Sequence, residues 1–272
     1  MDNGELALYL YCFARSDAVR VVKAAAVDGP IPVAIVVQSG DLCAVLSEVA
    51  QQDFCGPGAE LHMQQLAWVA PRAVQHEAVI EEVMATSPVL PLPFGTLFSS
   101  SEALAKFVDQ HRETINLFLG RVANHEEWSV KGWFDRRQAQ RALTSARLKE
   151  QQERLSAMLA GTRHLTEQRI CRAIERELNA WLNQTSRTIA SELASQASDF
   201  RECEVPSGAQ AESGLDEVLN WAFLLPESAV AQFHNRVVRA NQDYRSQGLL
   251  LQLSGPWPPY RFVPALSSAR NS

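Results

Sequence analysis

The chain has 272 residues, 46% of them hydrophobic and 21% charged, which excludes wholesale disorder and supplies apolar material for one large or two ordinary cores. The formal net charge is −6 with no block of like charge, so a face that tracks phosphates is not expected and nucleic acid is excluded as a main partner. The apolar runs, Leu6 to Ala14 and Ile31 to Val37 among them, fall far short of the roughly 20 residues that span a bilayer. Asp2 and Glu5 precede the first run where a secretory signal wants positive charge, so a cytoplasmic protein without a lipid-membrane partner is expected.

Leu6 to Phe13 is rich in β-forming aromatics and reads as a buried strand. Ile31 to Val37 and Leu42 to Val49 flank a turn signal at Gln38 to Asp41, which predicts an antiparallel hairpin. From about Glu60 the period becomes helical. Leu66, Val69, Ala73, Val74, Ile80, Val83 and Met84 mark the expected buried stripe, with a bend at Pro71. Val89 to Thr96 holds Pro91 and Pro93, so it is expected to be an extended, edge-like segment turning between domains. Ser100 or Ser101 caps a helix that buries Leu104, Phe107, Val108, Ile115, Phe118, Leu119 and Val122.

Glu127 to Phe134 alternates like a strand, with Trp128, Val130 and Gly132 on one side. A helical region from Gln138 to about Gln196 follows, interrupted near Gly161-Thr162, with an apolar stripe through Ile170, Ile174, Leu178, Trp181, Leu182, Ile189 and Leu193. Phe200 to Val205 and Val218 to Leu225 read as strands around a polar loop. A helix through Val230, Phe233, Val237 and Val238 is stopped by Gly248, and Leu249 to Leu253 is the last strand. This β-α-β-β-α-β order predicts a four-stranded sheet in spatial order 4-1-3-2. The fold class expected is α+β in two domains. Residues 1–124 form an N-terminal α+β domain, and 125–263 a C-terminal ferredoxin-like (βαββαβ) sandwich with an extended helical insertion. Residues 264–272 form a frayed tail.

The usual marks of catalysis and ligation are missing. There is no phosphate-binding G-x-x-x-x-G-K-[ST] loop, no G-x-G-x-x-G after a strand and no G-x-S-x-G elbow, and Gly56-Pro57-Gly58 reads as a turn. His76-Glu77 begins like a zinc-protease helix, but Ile80 stands where the second histidine belongs, so His76 is read as a hydrogen-bonded structural residue. Glu81-Glu82 and Glu126-Glu127 are adjacent carboxylates that point apart and are assigned to solvated faces. Five cysteines, at 12, 43, 55, 171 and 203, show no metal or redox spacing and are expected to be reduced. No catalytic residue, metal or cofactor is assigned. A small-molecule-binding regulatory protein would need a polar pocket between sheet and helices. An unrecognised enzyme would need converging groups with shifted pKa values.

Four segments stand in order along the chain: Gly40 to Val49; His76-Glu77-Ala78-Val79 leading to Val89-Leu90-Pro91-Leu92-Pro93-Phe94-Gly95-Thr96; Glu127-Trp128-Ser129-Val130-Lys131; and Gly255-Pro256-Trp257-Pro258-Pro259-Tyr260-Arg261-Phe262. Together they resemble the gas vesicle protein F/L family. Pro93 stands where the family usually has Arg, and Ser129 where it commonly has Gly. The resemblance implies a two-domain α+β accessory protein needed to form the gas-filled protein shell, with no enzymatic activity or cofactor. It also implies a cytoplasmic location at gas vesicles, with the gas vesicle shell protein (GvpA-type) and other accessory proteins as partners. Trp257, Pro258, Pro259, Tyr260 and Phe262, just past the last strand, are the candidate partner-contact residues, because aromatics anchor interfaces; the alternative reading is that Trp257, Tyr260 and Phe262 fold back to plug the seam between the domains, since large aromatics near a strand end are usually core.

Overall fold

The computed structural model describes residues 5–17, 21–29, 33–150, 156, 160–205 and 214–266. The chain divides into two compact units, residues 1–127 with 256–272 and residues 128–255. In the first, β1 (Leu6–Arg15), β2 (Ala34–Ser39), β3 (Leu42–Ala50) and β4 (Val89–Pro91) form a sheet in the order β2-β3-β1-β4. The short β5 (Leu97–Phe98) also pairs with β1. β2 and β3 make the expected antiparallel hairpin, turning at Gly40 and Asp41.

β1 is central and buried on both faces. Its pairing with β3 slips between Leu10 and Cys12, leaving Tyr11 as an extra residue. The slip sets the side-chain alternation: Ala7, Tyr9 and Tyr11 face one core, and past the bulge Cys12 and Ala14 face it too. Val79, Ile80 and Val83 of α3 (Leu66–Met84) pack on that face. On the other face Phe13 stacks on Phe107 of α4 (Ser101–Val122), ring centroids 6.3 Å apart. The Ser100 hydroxyl caps α4 by accepting the Ala103 N–H at 3.2 Å, and all seven expected core residues of this helix are buried.

α1 (Gln51–Phe54) and α2 (Pro57–Gln64) precede α3, and the break falls at Gln65; the helix runs on through Pro71. Leu66 and Val74, expected in the core, are 79% and 69% exposed. The buried stripe is His76, Val79, Ile80 and Val83. A polar residue at the stripe's centre misleads any count of apolar spacing, and the true face is rotated away from Leu66 and Val74.

In the second unit β7 (Asp199–Glu202), β8 (Asp216–Pro226), β6 (His125–Phe134) and β9 (Leu249–Trp257) form a sheet in the order β7-β8-β6-β9. Between β6 and β7 come α5 (Arg136–Glu150) and α6 (Ala160–Ala194); α7 (Val230–Tyr244) joins β8 to β9. Gly161 and Thr162 lie inside α6, while residues 151–155 and 157–159 are outside the described ones. Trp128, Val130 and Phe134 of β6 share a core with Ile174, Leu178, Leu182, Ile189 and Leu193 of α6 and with Phe233 and Val237 of α7; Val238 is exposed instead. Gly132 is dictated by packing, since a Cβ there would lie 2.6 Å from Leu219 Cδ1. Gly248 ends the helix at φ +94, where a side chain is strained. None of the five cysteines forms a disulfide, and Cys12 and Cys43 are buried.

The segment from Pro256 was expected to close the second domain at residue 263, but it groups with the first unit. Hydrogen bonds from Tyr260 and Arg261 to Glu77 and Glu127 explain the correction. Of the expected frayed tail, residues 267–272 lie outside the described residues.

Candidate functional site

Two polar clusters are built into the first unit, and both involve family-like segments. In the first, α3 directs His76 against β1. His76 Nδ1 accepts the Tyr9 hydroxyl at 2.9 Å and Nε2–H donates to the Leu92 carbonyl at 3.1 Å, while the Tyr9 oxygen accepts the Gly95 N–H at 3.1 Å. Each polar atom of this chain has a partner, so the Pro91 to Thr96 turn is fastened to the core within the first unit, not set between domains. Burial lowers the His76 pKa to about 4, which keeps the ring neutral and the donor–acceptor chain fixed. Tyr11 works in parallel: its hydroxyl lies 2.9 Å from Ser47 Oγ and accepts the Val27 N–H at 3.1 Å.

The second cluster anchors the C-terminal segment. The Tyr260 hydroxyl donates to Glu77 Oε2 at 3.0 Å, and the Arg261 N–H donates to Glu127 Oε2 at 3.1 Å. Arg261 Nε also stands 3.9 Å from Glu127 Oε1. Burial pushes Glu127 up to about 7 in spite of these Arg261 contacts, and it raises Glu77 and Tyr260 as well. Glu127, assigned above to a solvated face, is only 3% exposed. Glu82, assigned likewise, accepts the N–H groups of Lys23 and Ala24. Local sequence could not expose either role, because the partners lie more than fifty residues away.

Of the candidate contact residues, Trp257 is 40% exposed. Pro258, Pro259 and Phe262 are buried, and Tyr260 is half-buried against the apolar core of the first unit. The segment thus seats four residues and presents one.

The sequence pattern missed an apolar surface at the junction of α2 and α3. Leu61, Met63 and Leu66 are exposed around Gln65. Met63 also lines a shallow hollow of about 500 Å³ with Phe54, Cys55 and Ala59. Large apolar side chains left in water contribute nothing to the stability of the fold.

This architecture, a mixed helix-and-sheet protein, is that of solved gas vesicle proteins. It superposes on the crystal structure of the gas vesicle protein GvpF from Anabaena sp. PCC7120 with a TM-score of 0.67, at 19% identity, over 96% of this chain and 97% of that one. On GvpF from Microcystis aeruginosa the TM-score is 0.63, at 17% identity over 95% and 99%. At the sequence level, the gas vesicle protein L of Streptomyces sp. (strain CB03234) is 26% identical over 233 residues, 82% of this chain and 80% of the relative. The model of the gas vesicle synthesis protein GvpL/GvpF family matches residues 7–264, and the chain belongs to that family. Its role lies in gas vesicle formation, within a family of accessory proteins that is not a known enzyme family. Among the described residues no helix is long and apolar enough to cross a membrane.

Proposed function

We propose that this protein is a non-enzymatic assembly factor that binds the hydrophobic shell subunit of the gas vesicle, and other accessory proteins with it, during nucleation or growth. The wall of such a vesicle is apolar on its gas side, so a subunit not yet in the wall carries apolar surface prone to wrong association. A partner that covers this surface limits that aggregation. The observation that carries the reading is the exposed Leu61, Met63 and Leu66 beside the hollow at Met63. Trp257 is a second contact point, with Pro258, Pro259, Tyr260 and Phe262 acting to seat it. In this reading residues 128–255 are a ferredoxin-like module with α5 and α6 as its helical insertion, and the protein works in the cytoplasm at the vesicle.

The test is complementation of a strain lacking the gene and any paralogue with the Leu61→Ser, Leu66→Ser double variant. Because both side chains are exposed, the variant should accumulate like the parent, with gas vesicles scarce or absent. Normal vesicle numbers from a stably produced variant would count against the apolar surface as the contact.

A further inference from the structure

The sheets end at β2, at β4 with the two-residue β5 beside it, at β7 and at β9, and β4, β7 and β9 are each closed by a local device. β4 is only three residues long, buried throughout, and ends in Pro91, which offers no N–H. β7 carries Asp199, Arg201 and Glu202 in its four residues. On β9 the side chain of Asn241 takes the place of a neighbouring strand. Its Nδ2–H donates to the Leu251 carbonyl at 2.8 Å and its Oδ1 accepts the Leu251 N–H at 2.7 Å, and Pro256 stands near the strand's end.

β2 is different. Its sequence, Ala-Ile-Val-Val-Gln-Ser, contains no charge and no proline. It pairs regularly with β3 from Ala34↔Leu46 to Val37↔Cys43, and its register slips only beyond that stretch, between Val37 and Ser39. It ends the sheet order, Ala34 is exposed and Val36 is 40% exposed. Natural sheets guard such an edge with charge, proline or a covering side chain. Among the described residues none does so here.

We propose that this edge pairs with the β2 edge of a second copy of the chain, antiparallel about a two-fold axis, so that one sheet runs across both molecules. An antiparallel edge is self-complementary under such a rotation, because its alternating N–H and C=O groups meet their counterparts. With the axis at Ile35, Ala34 lies opposite Val36 of the second copy and Ile35 opposite its own counterpart, as the two-residue alternation of an antiparallel pair requires. No like charges meet, and β-branched residues are favoured cross-strand neighbours. A second copy brings an edge of the same length and the same lack of charge, which is why it is the occupant assigned. Three residue pairs make a small contact, so the association is reversible and depends on concentration.

Sedimentation equilibrium of the full chain over a concentration series tests this. The weight-average mass should climb from monomer toward dimer and change little with added salt, since no ion pair is involved. Val36→Lys places a guarding charge on the edge and should weaken dimerisation by at least about tenfold. Val238→Lys, at an exposed position on α7, should leave it unchanged. Ala34→Lys probes the same edge in case Val36→Lys lowers the melting temperature. Wild-type protein that stays monomeric at every concentration, or folded edge variants that dimerise like the wild type, would overturn the proposal.

Discussion

His76 and Glu127 are equally buried, 3% exposed each, in the same unit, yet their surroundings treat them in opposite ways. The histidine sits in a closed chain of hydrogen bonds that suits its neutral form, and burial drives its pKa down to about 4. The carboxyl of Glu127 receives one backbone N–H and a distant guanidinium, and burial drives its pKa up to about 7. One site is satisfied and structural. The other holds a segment in place at a cost that depends on pH. A buried polar group is stable where its partners match the form that burial favours, and conditional where they match the form that burial penalises.

The largest expected effect comes from breaking the satisfied site. His76→Ala leaves the Tyr9 hydroxyl and the Leu92 carbonyl without their partner and opens a cavity, so chemical denaturation should show a loss of about 2–4 kcal/mol. A loss below about 0.5 kcal/mol would mean that the network contributes little.

The pH dependence sharpens the contrast. The stability that His76 contributes is present above its unfolded pKa of 6.5 and is lost as pH falls toward about 4. Glu127 has the reverse sign: its contribution is full below 4.5 and is lost as pH rises through about 7. Each is worth about 3 kcal/mol over its window, so between pH 4.5 and 6.5 the two slopes offset each other. Glu127→Gln should therefore raise stability at pH 8 by about 1–3 kcal/mol and uncover a fall on acidification that the wild type lacks. Denaturation curves across pH 4–8 for both proteins read this directly, and parallel profiles would refute the opposed signs.

Smaller changes follow at the C-terminal segment. Tyr260→Phe removes one hydrogen bond to a half-buried carboxylate and should cost about 1 kcal/mol, measurable as a shift in the denaturation midpoint. Trp257→Ala should weaken shell-subunit binding by more than its own loss of stability accounts for, a comparison of binding and denaturation that separates presenting residues from seating ones.

Much of the fold was legible where one period governs a whole element. The seven buried residues of α4, the stripe on α6, the hairpin of β2 and β3 and the stop at Gly248 all follow from spacing and turn chemistry. The strand order of the second sheet follows from handedness once its elements are known. What stayed hidden needs tertiary information. The bulge at Tyr11 leaves no mark in composition, and His76 conceals the true face of α3. The bond from Tyr260 to Glu77 spans 183 residues, so nothing local tells that Pro256 onward returns to the first unit. For the site, the sequence pointed to the aromatic tail, of which Trp257 is the one residue presented. It assigned Leu66 to the core, although Leu66 is among the most exposed apolar side chains of the molecule.

Binding of purified shell subunit to the immobilised full chain tests the docking account most directly, with wild type, the Leu61→Ser, Leu66→Ser double variant and the distant Val238→Ser variant side by side. The expected result is saturable binding by wild type and Val238→Ser, and an affinity at least about tenfold lower for the double variant, since each lost anchor is worth about 1 kcal/mol or more. Equal affinity for all three, or no binding by the wild type under any condition that supports vesicle assembly, would contradict it.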